Sequence, residues 1–351
     1  MPPLAGVSQN GNESNVSKEK AQIRSFRPAK MSPMFSSIEI CAGGGGQALG
    51  LERAGFEHTE LIEWDRHACE TLRYNRPGWT VKQGDIRDAT AKHLTGIDLL
   101  AGGVPCPPFS LAGKQLGASD ERDLFPEALR LISEARPKAV MLENVRGLLG
   151  TVFDEYRATL KRNLEKLGYV PEWRLINASD FGVPQLRPRV IFVALRREVA
   201  PFFRWPHPHM ALAPTVGETL LDLMKEHGWL GADAWAARAS DIAPTLVGGS
   251  KKHGGADLGP SRARLAWETL GVNGKSLADT APDCHFVGMP RLTLRMAARI
   301  QGFPDDWYFA GGKTAAYRQV GNALPPPVAA AVGSQIAHAL NEEAKCRLRR
   351  A

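Results

Sequence analysis

From position 35 to about 197, short apolar runs alternate with stretches whose apolar residues recur every three or four positions. The runs predict strands over 35–41, 59–63, 97–101, 139–143, 173–177 and 190–195. The spaced stretches predict helices over 46–54, 66–74, 125–135 and 153–167. Strands that alternate with helices of this length are joined by crossovers and lie on a mostly parallel sheet. The expected fold class is α/β.

The rhythm is lost after 197 and returns only near 292, and proline, glycine, histidine and basic residues accumulate between. The run Val247-Gly248-Gly249-Ser250-Lys251-Lys252-His253-Gly254-Gly255 is too rich in glycine for a regular element and too basic for a core. Helical spacing resumes over 293–300 and 327–340, the second entered through Gly321-Asn322-Ala323-Leu324 and three prolines. Proline is tolerated at a helix start because the missing donor has no partner there. A chain of 351 residues exceeds the size at which one core stops growing. The expected division is a disordered tail over 1–33, a strand–helix domain over 34–200, an irregular domain over 201–290, and a segment over 291–351 that completes the small domain and returns to the first.

Hydrophobic content of 43% and charged content of 23% are globular values. A formal net charge of +7 makes a polyanion a plausible partner, with simple solubility as the alternative. Five cysteines, odd in number and with no C-x-x-C pair, fit neither a disulfide framework nor a zinc site, and no metal is expected. No run reaches the apolar length of a membrane span and the N-terminus lacks a signal-peptide core, so the expected setting is the reducing cytoplasm.

Ser36-Ser37-Ile38-Glu39-Ile40-Cys41-Ala42 followed by Gly43-Gly44-Gly45-Gly46 reads as a strand that ends in a turn open to a ligand. Ala42, Gly43, Gly45 and Gly46 are its candidate contacts. Glu63, twenty positions beyond Gly43, is placed to accept from ribose hydroxyls, so the arrangement suits an adenosine. Trp64 could lie against the adenine, while Asp85 and Ile86 of Gly84-Asp85-Ile86 could meet its amine and edge. A half-buried tryptophan and a helix-capping aspartate are the plainer readings. Gly43, Gly45 and Ala48 also satisfy a loose dinucleotide fingerprint, which keeps a nicotinamide dehydrogenase open at this point.

Pro105-Cys106-Pro107-Pro108-Phe109-Ser110 follows the apolar run Ile97 to Val104. A cysteine just past a buried strand, stiffened by proline on both sides, is placed as a nucleophile, although a free cysteine is more often an inert core residue. Glu143-Asn144-Val145 ends another strand, and Gln185-Leu186-Arg187-Pro188-Arg189 enters a third. Arg187 and Arg189 lie two apart, which places them on one face of a strand, where either guanidinium could hold a carbonyl, a phosphate or Glu143.

With these residues in order the chain resembles a DNA (cytosine-5) methyltransferase of the bacterial restriction-modification type. The resemblance rests on Glu39 to Gly50, Glu63-Trp64-Asp65, Gly84-Asp85-Ile86, Gly103 to Ser110, Glu143-Asn144-Val145, Gln185 to Arg189, Gln301-Gly302-Phe303-Pro304 and Gln319-Val320-Gly321-Asn322-Ala323. It spans nearly all of 35–340 and implies a Rossmann-like domain that binds S-adenosyl-L-methionine, with Asn322 added to the cofactor contacts. It makes Cys106 the thiolate that adds to carbon 6 of cytosine, Glu143 the holder of the ring nitrogen and exocyclic amine, and Arg189, with Arg187, the holder of the base carbonyl. Such a glutamate needs a raised pKa. Ser110, Asn144, Gln185 and Thr245 become substrate contacts, and Lys114, on a glycine-bearing loop, is expected near a phosphate. The target base must leave the stack, so the implied partner is double-stranded DNA, read by the basic stretch 201–290 with its short Thr245-Leu246 signature. A monomer, paired functionally with a restriction endonuclease without a stable complex, completes the implied picture.

Two positions depart from the family pattern: Cys41 stands where phenylalanine usually meets the adenine, and Pro107 stands where glutamine commonly follows the catalytic cysteine. Cys106-Pro107-Pro108-Phe109 also echoes the loop of methyltransferases that modify exocyclic amines, but cysteine is a weak acceptor there and Glu143 and the arginines would lack a purpose. A tRNA-directed relative and a DNA-binding protein without turnover remain alternatives; the long basic insert favours duplex DNA and the intact Cys106, Glu143 and Arg189 favour catalysis. If basic residues neutralise several phosphates, duplex affinity falls steeply and log-linearly with salt. Titration between 50 and 200 mM salt is expected to weaken binding roughly 10³-fold, and a flat response would remove the basic stretch from the DNA surface.

Overall fold

Strand β1 (Phe35–Ile40) buries Ile38 and Ile40 on one face and Ser37 and Glu39 on the other, so both faces of the sheet at this point are covered. The computed structural model describes residues 35–105, 123–209, 211–249 and 255–350. Among them, β2 (Phe56–Glu63), β3 (Val81–Gln83), β4 (Leu99–Gly102), β5 (Ala139–Val145), β6 (Tyr169–Asn177) and β7 (Pro188–Arg196) join β1 in one sheet of order β3-β2-β1-β4-β5-β7-β6. The strands from β3 to β5 pair in parallel, and the β6–β7 hairpin adds the antiparallel part through β5–β7. The α/β class and the mostly parallel, Rossmann-like sheet expected from the sequence are what the fold shows.

Helices cover both faces. Helices α1 (Gly46–Arg53) and α10 (Pro326–Leu348) lie on the face of Leu99, Ala101, Met141, Ile191 and Val193, where Val328, Val332 and Ile336 complete a core. Helices α3 (Phe125–Ala135) and α4 (Asp154–Lys166) lie on the face of Ile38, Ile40, Leu100, Val140 and Phe192. Helix α2 (Arg66–Asn75) follows β2 and is capped by Asp65, whose carboxylate accepts from the His67 and Ala68 amides. A third core, built on Trp229, Trp235, Trp267, Phe303, Trp307 and Tyr317, gathers α5 (Val216–Met224), α6 (Ala232–Arg238), α7 (Ser261–Thr269), α8 (Leu294–Ile300) and α9 (Lys313–Asn322) and reaches Leu49 of α1.

Several elements depart from the pattern read along the chain. Strand β3 was not expected, because its three residues contain one apolar side chain. Strand β6 begins four residues early, since it is an edge strand whose exposed Glu172 and Arg174 interrupt the apolar run. Helices α5, α6 and α7 arise where the apolar rhythm is lost; they are seven to nine residues long and separated by glycine and proline. Helix α5 carries a legible start signal, a capping box formed by Thr215 and Glu218. Gly321 and Asn322 close α9 instead of leading into α10. Helix α10 continues past 340 as a polar extension with Glu342–Lys345 and Glu343–Arg347 pairs.

Helices α1 and α10 cross so closely that a Cβ on Gly50 would lie 2.4 Å from the Pro326 carbonyl oxygen and 2.5 Å from the Ala329 Cβ. Overpacking of this kind costs about 1–3 kcal/mol. Gly50→Ala is therefore expected to lower the urea midpoint at an unchanged slope; an unshifted midpoint would contradict the packing described.

Candidate active site

The order of the sheet reverses between β1 and β4, and in open α/β sheets the crevice beyond the carboxyl ends of the strands at such a point is where ligands bind. Ile40, Gly102 and Leu142 are in register across β1, β4 and β5, so Cys41, Gly103 and Glu143 form the next row, at that edge. A Cβ on Gly103 would lie 3.5 Å from Glu143 Oε2 and 3.8 Å from the Cys41 carbonyl oxygen. Backbone at Gly103 thus runs between the end of β1 and the glutamate.

Glu143 pairs with Ile191, and Arg189 with Val145, so Glu143 and Arg189 are diagonal neighbours on one face of the β5–β7 ladder. Long side chains bridge that separation, and Arg189 Nε stands 2.8 Å from Glu143 Oε1. Only about a tenth of each side chain is exposed (Glu143 11%, Arg189 12%). Burial pushes the Glu143 carboxyl above the ordinary carboxylate range, and the charges of Arg189 and Arg187 pull it part of the way back. Burial likewise lowers Arg189, yet a guanidinium remains protonated. The next residue, Asn144, donates from Nδ2 to the Val104 carbonyl at 2.8 Å, and its Oδ1 accepts from the Val145 amide at 2.8 Å. The end of β5 therefore fixes Gly103 and Val104, the residues that lead to Cys106. Cys106, Ser110 and Lys114 lie outside the described residues; Pro105, just before them, accepts from the Leu124 amide at 3.3 Å.

The glycine loop follows β1 at the same edge. Its backbone turns at Cys41 (φ 52°), Gly43 (φ 55°) and Gly45 (φ 87°), the first a left-handed conformation that a non-glycine residue seldom adopts. A Cβ on Gly46 would strike the Leu324 carbonyl oxygen at 2.3 Å, and one on Gly45 would strike Leu72 at 2.8 Å and Trp307 at 2.9 Å. These two glycines answer to packing against protein. Among the described residues nothing lies within 4 Å of a Cβ built on Gly43, which in this sets it apart from Gly44, Gly45 and Gly46. Glu63 ends β2 and holds the loop: Oε2 accepts from the Gly43 amide at 2.7 Å and Oε1 from the Asp65 amide at 2.8 Å. Trp64 is 64% exposed beside it, Ile86 is buried, and Asp85 bonds the Arg87 amide at 3.0 Å.

Arg187 and Arg189 both act on Glu143 through their charge but make different close contacts. Arg187 is fully buried and donates to three backbone carbonyls, from Nη1 to Leu246 (2.8 Å) and from Nη2 to Gly321 (2.7 Å) and Ala323 (2.9 Å). Gln185, equally buried, accepts from the Leu246 amide at 2.8 Å and donates to Gln301 Oε1 at 2.7 Å. Thr245 donates its hydroxyl to the Leu186 carbonyl, and Asn322 donates to Gly249 at 3.1 Å. The residues that enter β7 are thereby tied to 243–249 and to the end of α9.

A family model for C-5 cytosine-specific DNA methylases matches residues 35–338. The chain belongs to that family. It is 57% identical over 318 residues to the Type II methyltransferase M.NgoMIV of Neisseria gonorrhoeae, which covers 88% of this chain and 99% of the relative. It is 58% identical over 318 residues to the Type II methyltransferase M.NaeI of Lentzea aerocolonigenes, covering 88% of this chain and 76% of the relative. A solved structure of the methyltransferase EhMeth of Entamoeba histolytica matches with a TM-score of 0.60 at 17% identity, over 87% of this chain and 98% of the other, and shows the fold. The resemblance read from the sequence holds.

For this methylase, the residues singled out in the sequence fall into two groups. Glu143, Asn144, Arg189, Ala42, Gly43 and Glu63 meet at the carboxyl edge of the sheet, whereas Gln185, Arg187, Thr245 and Asn322 build the clamp behind it. Sequence reasoning passed over Gln301 and Trp307: Gln301 Nε2 donates to the Ala323 carbonyl at 2.6 Å, and Trp307 Nε1 donates to the Gly44 carbonyl at 3.1 Å. Gln301 belongs to the block Gln301-Gly302-Phe303-Pro304 that carried part of the resemblance, and that was its available signal; Trp307 lies three residues beyond that block. Sequence reasoning also passed over Glu39, 1% exposed and without an ion-pair partner among the described residues.

Burial holds the Glu39 carboxyl well above its usual range against the opposing pull of the Ala48 amide, and the Glu63 charge adds to the rise. A carboxyl whose folded-state pKa is raised binds its proton more tightly in the native state. Stability therefore falls as pH rises from the unfolded value, about 4.3, through the folded one. Glu39→Gln, which removes the ionisation, is expected to gain stability over the wild type progressively above about pH 4.5, as read by urea denaturation at pH 5, 6, 7 and 8. A difference independent of pH would contradict an unpaired Glu39.

Proposed function

We propose that the protein transfers a methyl group from S-adenosyl-L-methionine to carbon 5 of a cytosine in a specific double-stranded DNA site, through a temporary bond from Cys106 to carbon 6. The observation that carries this reading is the Glu143–Arg189 pair, 2.8 Å apart and nearly buried, set against Gly103 three residues before Cys106. Carbon 5 of cytosine is a poor nucleophile until the ring is made electron-rich, and a thiolate at carbon 6 with a proton donor at the ring nitrogen achieves that.

The loop side fits the cofactor in shape and charge. Gly43 leaves space for close approach, the Glu63 carboxylate at the end of β2 is an acceptor suited to ribose hydroxyls, and the indole of Trp64 is 64% exposed beside it. After burial, the carboxylates of Glu63 and Asp85 raise the neighbouring Cys41 thiol, so the end of β1 lies beside acidic groups that suit a cationic ligand. When bound, S-adenosyl-L-methionine supplies an electrophilic methyl on a positively charged sulfur.

On the base side, the Cys106 thiol gives up its proton and its sulfur bonds to carbon 6, so the electrons of the 5,6 double bond become available at carbon 5. Glu143, held above the ordinary carboxylate range, gives or shares a proton at the ring nitrogen and accepts from the exocyclic amine. Arg189 keeps Glu143 in place and turns its remaining donors to the base carbonyl. Once carbon 5 carries the methyl group, its proton passes to water acting as base, the electrons of that C–H bond re-form the 5,6 double bond as the carbon 6–sulfur bond breaks, the ring nitrogen returns its proton to Glu143, and sulfur departs as the thiolate, which regains a proton from solvent. Asn144 acts by fixing Val104.

Carbon 6 is shielded in a duplex, so the cytosine has to be turned out of the stack at a cost of a few kcal/mol. We assign sequence reading and phosphate contact to the segment 201–290, with Ser110, Lys114 and Thr245 at the target strand, and the cofactor-binding and catalytic work to 34–200 together with the returning segment 291–351. The Type II names of the relatives support protection of host DNA from a cognate endonuclease as the biological role, carried out by a cytoplasmic monomer.

The test is the position of the methyl group. Wild-type protein, given labelled cofactor and genomic duplex, is expected to yield 5-methylcytosine by nucleoside mass spectrometry. Cys106→Ser is expected to yield none while still binding the cofactor, and Glu143→Gln to lose roughly 10²–10⁴-fold in rate. Label on the exocyclic nitrogen, preference for tRNA over duplex in competition, or turnover by Cys106→Ser would overturn the reading.

A further inference from the structure

A buried charge is expensive, and an apolar side chain of similar volume would often be at least as stable as Arg187 in this position. Arg187 is nonetheless fully buried, and among the described residues no carboxylate stands in salt-bridge contact with it and its Nε has no partner, although the Glu143 charge acts on it from a greater distance. Its charge is met by three carbonyls from two separate segments. Gly321 and Ala323 stand at the carboxyl end of α9, where unpaired carbonyls and the helix dipole favour a cation. Leu246 follows Thr245 in the stretch that leads to the basic run Lys251-Lys252-His253.

The same seam is closed from every side. Gln185 binds the Leu246 amide, Leu186 N–H donates to the Ala243 carbonyl at 2.7 Å, and Ala243 N–H donates to the Pro184 carbonyl at 2.9 Å. Where 243–249 meets α9, a Cβ on Gly321 would lie 2.3 Å from the Gly248 nitrogen, and one on Gly248 would lie 2.5 Å from the Arg318 carbonyl oxygen. Segment 243–249 therefore cannot move without pulling on Arg187, and Arg189, two residues along the chain, holds Glu143.

The geometry points to Arg187 as a positioning residue that makes catalysis depend on correct DNA reading: engagement of 243–249 by the target site sets, through the guanidinium and the first residues of β7, the alignment of Arg189 and Glu143. This rests on the methyl-transfer reading above and deepens it. Arg187 does not touch the base in this account; it couples the recognition segment to the groups that do.

Arg187→Lys keeps the charge but cannot fork to three carbonyls. Relative to wild type at a temperature where both are folded, it is expected to lower kcat about 10- to 100-fold, the size of one or two charged hydrogen bonds, with KM for the cofactor within about twofold. The preference in kcat for the cognate site over a site with one base changed should shrink about tenfold. A lower melting temperature with kcat per folded molecule and site preference both unchanged would reduce Arg187 to a structural role and overturn the inference. Gly248→Ala enters the same seam without altering a charge. It is expected to give the same pattern if Arg187→Lys does not fold, and unchanged kcat and preference in Gly248→Ala would equally overturn it. Absence of cytosine methylation by the wild type, run in parallel, would instead fail the underlying reading.

Discussion

The site depends on one ion pair between neighbouring strands. Glu143 and Arg189 come from β5 and β7, are diagonal partners in an antiparallel ladder, and meet at 2.8 Å where almost no water reaches them. A lone buried carboxylate would be neutralised, and a lone buried guanidinium would be a liability. Paired, each justifies the other, while burial leaves the acid with a proton affinity above that of a surface glutamate. The antiparallel insertion of β7 beside β5 makes this possible, since it brings the start of one strand to the end of the other.

The remaining parts are arranged around that pair by the sheet edge. The switch between β1 and β4 opens the crevice, and Gly103 threads between the Cys41 carbonyl and Glu143 without a side chain to separate them. Trp307, from the returning part of the chain, fixes the glycine loop through the Gly44 carbonyl. The C-terminal residues thus shape the cofactor side of a site whose acid comes from the middle of the sequence, and the clamp around Arg187 ties the same residues to the segment proposed to read DNA.

Much of this was legible in the chain because strands covered on both faces read as short apolar runs, as β4 and most of β5 do, while β1 keeps Ile38 and Ile40 on one face and buries the polar Ser37 and Glu39 on the other. The residues at the carboxyl ends of those strands were legible for a second reason: glycine, glutamate and asparagine directly after apolar runs have few structural duties. What stayed hidden was whatever depends on contacts distant in sequence. Arg187 and Arg189 look alike on paper, and only the approach of Leu246 and Gly321 separates a buried clamp from a residue facing Glu143. Gly45 and Gly46 look like ligand glycines, but their neighbours are Leu72, Trp307 and Leu324. Helices α5 to α7 were hidden by their shortness and by the glycines and prolines between them.

The central claim is that the acid at the end of β5 activates a cytosine held beside Cys106. The most direct measurement uses a duplex with 5-fluorocytosine at the target position, incubated with cofactor, digested with protease and mapped by mass spectrometry. The wild type is expected to leave the base attached to the peptide containing Cys106, and Glu143→Gln to bind the duplex without forming the adduct. An adduct on another cysteine, or one formed equally well without the Glu143 carboxyl, would contradict the account.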